Sequence, residues 1–398
     1  MNDIEVKYCG ETITTLDSQG EKVLNTSGKY LSDNIKVKYN KDIIVPSKDV
    51  NFYDYDGKIL YSYSYNDFMN LSEFPPNPKH QGLTAQGWNW SLQDAKNQLA
   101  VSGILDIGQN YITTDGKTRV YISLKDLGRM SPKIYWNQTV ANGVTVDFGD
   151  GSAPQTVAGT GLKSLTHLYS SIGDYIITLN VTSGTMLIGG TSSSSAIISG
   201  SPVVPYRNIV TKVEIGKDAS LNTYAFYCMY LLRSVSIPST ITSITSFYGC
   251  YSLPFIAIPS NCTSIANTAF RGCFSMPTIS IPKGLQTLGQ NAFYNDYCLS
   301  RIALPRILSI NSSTLYSCTG LRKLVIPSSV TSIGAGAFSN CTGMAEYHFK
   351  SLTPPTLADS TVFTNIPNDC KIYVPIASLE TYKTGNVWSD FQSYIMGE

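Results

Sequence analysis

Apolar residues recur at one long interval in the second half of the chain. The pattern apolar-x-x-apolar-x-apolar ends at positions 21 to 23 residues apart, which are Ile215, Ile237, Ile258, Ile281, Leu304, Ile326 and Phe349. Apolar and polar positions alternate before these residues, which predicts short strands with one buried face, and a proline that follows five of them would end the strand. This regular period predicts a solenoid, because one repeat alone buries too little apolar surface and must stack on its neighbours.

The segments between the predicted strands carry a second motif, Ala-Phe-x-x-Cys. Its apolar residue recurs as Phe226, Phe247, Phe270, Phe293, Leu315 and Phe338. The cleanest copy runs from Ile326-Pro327 through Val330, Ile333 and Gly334 to Ala337-Phe338 and Cys341. This order resembles the BspA-like bacterial leucine-rich repeat over roughly residues 205–395. The resemblance implies an extracellular binding surface and a C-terminal cap, and it names no ligand.

Six cysteines accompany the repeats at intervals of 20 to 25 residues, at Cys228, Cys250, Cys273, Cys298, Cys318 and Cys341. This spacing fits no zinc pattern, whereas a small apolar side chain suits a buried, repeated position. We interpret the six residues as a column of reduced structural thiols.

Two small units are predicted before the repeats, over residues 1–48 and 49–130. In the first, alternating apolar residues separated by glycines indicate an antiparallel β module, and their order resembles N-terminal modules of tail-associated proteins in phages of Gram-positive hosts. In the second, Ser91 is expected to cap a helix over residues 92–101. Asp115-Gly116 predicts a hairpin turn there, so this unit is expected to be an α+β module.

A further signature lies in residues 131–184. Asp147-Phe148-Gly149-Asp150-Gly151 is followed by His167-Leu168-Tyr169 and by an alternating strand from Gly173 to Val181. These motifs resemble the polycystic-kidney-disease (PKD) domain, which implies an Ig-like β-sandwich that serves as a spacer or adhesion module. Asp147 and Asp150 are interpreted as turn formers.

The expected fold is therefore mainly β. Residues 185–209 are expected to be either a linker or an N-terminal cap for the solenoid, because Gly, Ser and Thr are abundant from Gly189 to Ser201. The repeats themselves occupy residues 210–350, and a last repeat with its cap occupies residues 351–398. The predicted order along the chain is thus small N-terminal β and α+β modules, then an Ig-like PKD-type sandwich, and then a leucine-rich-repeat solenoid with a C-terminal cap.

Composition and hydropathy argue against two classes of partner, nucleic acids and membranes. The 398-residue chain has 14% charged residues and a net charge of +1, which argues against nucleic acid as a partner. No apolar run approaches 18 residues, so no membrane insertion is expected. The start of the chain lacks the layout of a secretory signal, which suggests either a removed leader or release by another route, such as lysis.

No catalytic constellation, metal site or cofactor motif stands out. His80, His167 and His348 are far apart in sequence and lie near no nucleophile motif. Carboxylates are sparse and unpaired along the chain, which argues against a glycosidase. We expect a protein without enzymatic activity, and a cell-wall hydrolase is the remote alternative.

Two surfaces of the repeats are candidate ligand-binding sites. The first is the outward side of the strands, which is either a generic solvated face or a ligand site formed by Arg233, Phe255, Arg301, Arg322, Lys323 and His348. The second is the tyrosine-rich loop after each Phe position, which carries Tyr227, Tyr248, Tyr251, Tyr294, Tyr297 and Tyr316. Tyrosine supplies rigid contact area with a polar tip, as it does in antibody paratopes.

These features together predict a receptor-binding protein. The specific hypothesis is the tail tip of a phage or phage-tail-like particle, which attaches to tail or baseplate proteins through its N-terminal modules. The solenoid would then recognise a polysaccharide or a surface protein on the bacterial host. The alternative is a bacterial cell-surface adhesin. A homotrimer is one option for a tail protein, although no heptad or fibre repeat requires it.

Overall fold

The structure is a computed structural model that describes residues 48–199 and 208–398 together with two short N-terminal strands. These strands, β1 (Glu5–Tyr8) and β2 (Glu11–Thr14), form an antiparallel pair. The rest of the β module predicted over residues 1–48 lies outside the described residues. Among the described helices, none is long and apolar enough to cross a membrane.

The first large unit is a four-stranded mixed sheet with two helices. Its strand order is β4-β3-β6-β5, and its elements are β3 (Val50–Tyr53), β4 (Ile59–Tyr63), α1 (Tyr65–Met69), β5 (Leu83–Trp88), α2 (Leu92–Ser102) and β6 (Leu105–Thr113). The predicted helix is confirmed, because the Ser91 side chain accepts a hydrogen bond from the Asp94 amide and caps α2. Phe52, Leu99 and Ile107 form part of its buried core. We call residues 48–113 the docked unit, because they pack against the solenoid.

A β-sandwich follows. Its strands are β7 (Thr118–Leu124), β8 (Lys133–Gln138), β9 (Val144–Asp147), β10 (Gln155–Thr156), β11 (Gly161–Thr166), β12 (Gly173–Val181), β13 (Met186–Ile188) and β14 (Ile198–Ser199). One sheet contains β10-β9-β12-β7, and the other contains β11-β8-β13 with β14 beside β8. Asp147 and Asp150 form turns as expected, because their side chains accept hydrogen bonds from the amides of Gly149 and Ser152.

The pairing of β7 corrects two predictions. The Asp115-Gly116 turn joins β6 to β7, yet β6 pairs with β3 and β5 whereas β7 pairs with β12. The turn therefore connects two different sheets and is not a hairpin. Residues 118–124 belong to the sandwich, so the boundary predicted at residue 130 falls inside it.

The solenoid fills the remainder of the chain, as the repeat pattern predicts. Its elements are β15 (Val210–Glu214), β16 (Ala219–Leu221), β17 (Ser234–Ser236), β18 (Ser243–Ile244), β19 (Ser264–Ile265), β20 (Thr287–Leu288), β21 (Ser309–Ile310), β22 (Lys323–Ile326), β23 (Ser332–Ile333), β24 (Glu346–Phe349), β25 (Thr356–Leu357), β26 (Lys371–Val374), α3 (Leu379–Thr384) and β27 (Ile395–Gly397). Successive turns pair in parallel, as in the sheets β18-β19-β20 and β22-β24-β26-β27. Inside, Phe247, Phe270 and Phe293 stack with 5.5 Å between successive ring centroids.

Both ends of the solenoid are covered. At the start, β15 pairs with β7 of the sandwich and β13 pairs with β16, so both sandwich sheets continue into the first repeat. Ala196, Ile197 and Ile198 are fully buried there, which excludes a free linker over residues 185–199. At the other end, Trp388 packs edge-on against Phe349 beside α3, which gives the predicted C-terminal cap.

The cysteine column differs from its prediction at two positions. Cys250, Cys273, Cys318 and Cys341 are equivalent, and each thiol contacts a backbone carbonyl of the preceding turn. Cys228 and Cys298 lie at other offsets from their Phe positions. Cys298 is disulfide-bonded, so the prediction of a reduced thiol is wrong at this position. Asp296 occupies the equivalent place in its repeat and is fully buried.

Candidate binding surfaces of the solenoid

The outward side of the repeat strands, which we call the strand face, is covered over its middle repeats by the docked unit. Arg301 Nε lies 2.8 Å from Asp106 Oδ2, and both side chains are about 5% exposed or less. The same guanidinium donates to the backbone oxygens of Lys48 and Asp49 at 3.1 and 2.9 Å. Thr278 donates a further hydrogen bond to Asp106. This ion pair is buried and satisfied on both sides, the condition under which a buried pair is tolerated.

Close packing surrounds this ion pair. Phe255 stacks on Tyr53 with ring centroids 4.5 Å apart, and both rings are buried. A Cβ atom added to Gly108 of β6 would lie 2.3 Å from the Ala257 Cβ, so only glycine permits this approach of the two backbones. Asn89 reaches across and donates to the Ile258 carbonyl at 2.8 Å.

The prediction that Phe255 and Arg301 contact an external ligand is therefore wrong. Both side chains do point away from the solenoid core, as the strand alternation predicts. They meet another part of the same chain, because the docked unit occupies the surface that would otherwise face solvent.

The other predicted residues of the strand face are placed differently. Arg233 is exposed, Arg322 donates to the Gly343 carbonyl at 2.7 Å, and Lys323 lies 3.5 Å from Glu346. His348 is largely buried. The structure thus leaves Arg233, Arg322 and Lys323 on the surface and does not gather the six residues into one patch.

His348 is the centre of a small ion network. Its Nδ1 lies 2.6 Å from Glu398 and its Nε2 lies 2.9 Å from Glu346. The hydrogen bond from His348 lowers the pKa of Glu346. Partial burial raises the pKa of Glu398, but the hydrogen bonds from Lys350 and His348 outweigh this effect, so the pKa of Glu398 is also lowered. A glycosidase acid needs a raised pKa, so this carboxylate pair has the opposite electrostatics. No metal-binding group of three His, Cys, Asp or Glu side chains occurs within the described ranges.

The tyrosine-rich loops form two regular columns, which together we call the turn edge. The first column contains the residue directly after each Phe position: Tyr227, Tyr248, Arg271, Tyr294 and Tyr316. The second contains the residue three positions later: Tyr230, Tyr251, Phe274 and Tyr297. All nine side chains are partly exposed. The predicted tyrosines are thus brought together, and four of the six belong to the first column.

Ring stacking holds each column in order. In the first, Tyr227 and Tyr248 stack at 4.8 Å and Tyr294 and Tyr316 at 4.5 Å. In the second, the successive spacings are 4.6, 4.6 and 5.4 Å. The solenoid repeat sets these distances, because each turn places its ring above the ring of the turn before. Stacked rings lose little further freedom when they bind, which favours them as contact residues.

Sequence reasoning missed Arg271. Its guanidinium carbon lies 4.2 Å from the ring centroid of Tyr294 and 5.9 Å from that of Tyr248, so the planar cation replaces a ring in the first column. Counting one residue from Phe270 would have assigned it to the same register as the tyrosines. The signal was therefore present, but a search for tyrosines alone could not find it.

Asp296 lies beneath this surface. One carboxylate oxygen accepts a hydrogen bond from the Cys273 amide at 2.8 Å, and the other has no hydrogen-bond partner. Complete burial raises the pKa of Asp296 well above its usual value. A buried acid of this kind stays protonated rather than ionise without a partner.

Comparisons with known proteins agree with the repeat architecture. Residues 219–345 match the family model for the BspA type leucine rich repeat region, in six copies. No curated protein matches the chain.

Three solved structures are similar to parts of the chain. A leucine-rich repeat protein from Bacteroides ovatus is 19% identical, and the match covers 42% of this chain and 63% of that one with a TM-score of 0.30. The leucine rich repeat protein of T. pallidum is 29% identical, and the match covers 39% of this chain and 77% of that one with a TM-score of 0.28. A leucine rich cell surface protein from Faecalibacterium prausnitzii is 17% identical, and the match covers 46% of this chain and 61% of that one with a TM-score of 0.30. The chain spans less than two thirds of the first and third of these proteins. Over residues 219–345 the chain is thus similar to leucine-rich repeat regions of the BspA type.

Proposed function

We propose that this chain is a non-enzymatic adhesion protein that binds a bacterial surface through the turn edge of its solenoid. The observation that carries the proposal is the first column, in which four tyrosines and Arg271 stack in register along one side of the repeats. Tyrosine and arginine are the residue types that dominate binding energy at protein surfaces. The strand face is a weaker candidate, because the docked unit buries Phe255 and Arg301.

The partner would be a surface polysaccharide or a surface protein of a bacterium. Two carriers fit such a protein, a phage or phage-like tail tip and the surface of a bacterial cell. Labelling with an antibody against the full chain separates them: label on purified tail particles supports the tail tip, and label on intact producing cells supports the adhesin. Label on neither would contradict both placements.

Cell binding of the full chain tests the surface itself. We expect Tyr294→Ala combined with Tyr316→Ala to weaken binding to whole Gram-positive cells by about tenfold or more, since each lost contact residue costs on the order of 1–2 kcal/mol. The matched control is Arg233→Ala combined with Lys323→Ala on the strand face. Flow cytometry of labelled protein gives the affinities.

The opposite pattern would overturn the proposal. If the tyrosine variants bind as the wild type does while the strand-face control loses affinity, the strand face is the binding surface. Release of soluble sugar or peptide from purified cell walls by the wild-type chain would contradict the non-enzymatic part of the proposal.

A further inference from the structure

Arg271 is an arginine whose charged group is held in place by rings and not by an acid. Tyr248 and Tyr294 lie on its two sides in the first column. Its guanidinium makes no hydrogen bond or ion pair with any side chain or backbone group in the described part of the chain, and it is partly exposed. A guanidinium carries five N–H donors in one plane. Stacking leaves these in-plane donors available at the surface of the column.

This arrangement suits an oxyanion. Guanidinium groups match carboxylate and phosphate groups with two parallel hydrogen bonds, and such charge-assisted bonds are stronger than neutral ones. The flanking rings fix the side chain, so less conformational freedom is lost when the anion binds. The neighbouring positions of the column supply tyrosine hydroxyls, which donate and accept hydrogen bonds.

The end of the column provides a second feature. Tyr316 stacks on Tyr294 through one face, and the next turn places Ser339 at the equivalent position. A Cβ atom added to Gly336 would lie 3.9 Å from the Tyr316 ring, so a residue without a side chain borders the ring. No described aromatic ring covers the second face of Tyr316. An aromatic face with hydroxyl groups beside it is a surface on which a sugar ring can pack its apolar side while its hydroxyls form hydrogen bonds.

We propose that the ligand of the turn edge is a carbohydrate that carries an oxyanion, with Arg271 binding the anion and Tyr316 packing against a neighbouring sugar. The inference rests on the proposed function and specifies its ligand class. The oxyanion is either the carboxylate of an acidic sugar or the phosphate of a phosphodiester-linked polymer, since both offer the same planar pair of oxygens to the guanidinium.

The test measures binding of the full chain to three soluble polymers by affinity electrophoresis in native gels. The polymers are polygalacturonate, which carries carboxylates, poly(glycerol phosphate), which carries phosphodiesters, and dextran, which is neutral. We expect one anionic polymer to retard the wild-type chain and dextran to have no effect. The anionic polymer that binds identifies the source of the oxyanion.

Variants then assign the contact. We expect Arg271→Gln to weaken binding about ten- to a hundredfold, the range for a lost hydrogen bond to a charged group. Arg271→Lys retains the charge but not the planar fork, so its loss should be intermediate. Arg306→Gln removes another exposed arginine of the solenoid and should bind within about twofold of the wild type. Tyr316→Ala should weaken binding, whereas Tyr316→Phe should retain most of it because the ring face remains.

Four outcomes overturn the proposal: none of the polymers binds, dextran binds as well as the anionic polymers, Arg271→Gln binds like the wild type, or Arg306→Gln loses as much as Arg271→Gln. Cell binding separates this failure from failure of the proposed function. If Tyr294→Ala with Tyr316→Ala abolishes cell binding but Arg271→Gln does not change it, the turn edge is the binding surface and only the ligand class is wrong. Circular dichroism of each variant excludes loss of folding.

Discussion

The strand face and the turn edge of one solenoid place similar side chains in opposite roles. On the strand face, Arg301 is paired with Asp106 and Phe255 is stacked on Tyr53, so the cation and the ring both hold the docked unit. On the turn edge, Arg271 is held between rings of its own column and retains its hydrogen-bond donors. The same chemistry therefore holds two units together on the strand face, whereas on the turn edge the described residues leave the guanidinium donors unpaired, as the proposed ligand contact requires.

The buried carboxylates of the two regions differ in the same way. Asp106 accepts hydrogen bonds from Arg301, Asn51 and Thr278. Asp296 accepts one from the Cys273 amide and leaves its second oxygen unpartnered. Asp106 is thus paired with a buried cation, whereas burial raises the pKa of Asp296 and favours its protonated form. This difference predicts opposite responses to substitution.

The largest expected effect comes from breaking the strand-face ion pair. Asp106→Ala leaves the Arg301 guanidinium buried beside an empty place, which should lower the free energy of unfolding by about 3–5 kcal/mol. Chemical denaturation of the full chain measures it. Lys283→Ala is the control, because it removes an ion pair between the same two regions, Lys283–Asp94, in which the lysine is exposed. Such a pair contributes about 0–1 kcal/mol.

Equal losses for the two variants would contradict the role assigned to the buried pair. It would then contribute no more than the exposed pair, and the docked unit would be held by its apolar contacts. Phe255→Ala, which removes the stack on Tyr53, would in that case give the larger loss.

The next effect is a pH dependence that originates at Asp296. Burial raises the pKa of Asp296 in the folded protein above its unfolded value near 4. Below the unfolded pKa the carboxyl is protonated in both states, so its burial carries no ionisation penalty. The free energy of unfolding then falls as the pH rises from the unfolded towards the folded pKa. We expect Asp296→Cys, which inserts the residue found in four equivalent turns, to remove this slope. The stability of Asp296→Cys relative to the wild type should increase as the pH rises above the unfolded pKa of Asp296, by at most about 1.4 kcal/mol per pH unit.

Urea denaturation at several pH values checks this prediction. Asp390→Asn, at an exposed position near the C-terminus, is the control and should show no such slope relative to the wild type. A stability difference between Asp296→Cys and the wild type that does not change with pH would mean that Asp296 is ionised in the folded protein.

A smaller effect with the opposite pH sign is expected at the end of the strand face that the docked unit does not reach. The pKa values of Glu346 and Glu398 are lowered, so the network around His348 contributes stability above the unfolded pKa of these residues and loses it as the pH falls through their folded values. His348→Gln should cost about 1 kcal/mol at pH 6 and progressively less towards pH 3. A cost that stays constant over this range would indicate a packing role for the ring on Tyr373.

The sequence predicted the strands and the stacking of the repeats, but not that the docked unit covers their outward side. Strand alternation correctly assigned Phe255 and Arg301 to the outside of the solenoid, and the 21–23-residue period correctly predicted the stack. The partner of Arg301, Asp106, is 195 residues away in the chain. No local pattern encodes that contact, because only the packing of whole units brings it about.

The turn edge was partly predictable for the same reason. Its tyrosines follow from the repeat register, which is local. The place of Arg271 among them follows only when the repeats are aligned at their Phe positions. The Asp115-Gly116 turn was also predictable from local sequence. The sheet that the following strand β7 joins was not, because it depends on pairing with the distant strands β12 and β15.

The smallest expected effect is the sharpest test of the comparison. Arg233 is exposed on the strand face beyond the buried contacts of Arg301, so Arg233→Ala should change stability by less than about 0.5 kcal/mol. It should also leave cell binding within about twofold of the wild type, because a single exposed charge outside the binding surface contributes little. Flow cytometry and thermal unfolding measure both quantities on one preparation. A clear loss of binding without a loss of stability would show that the strand face contacts the ligand outside the area that the docked unit covers, and the two surfaces would then act together.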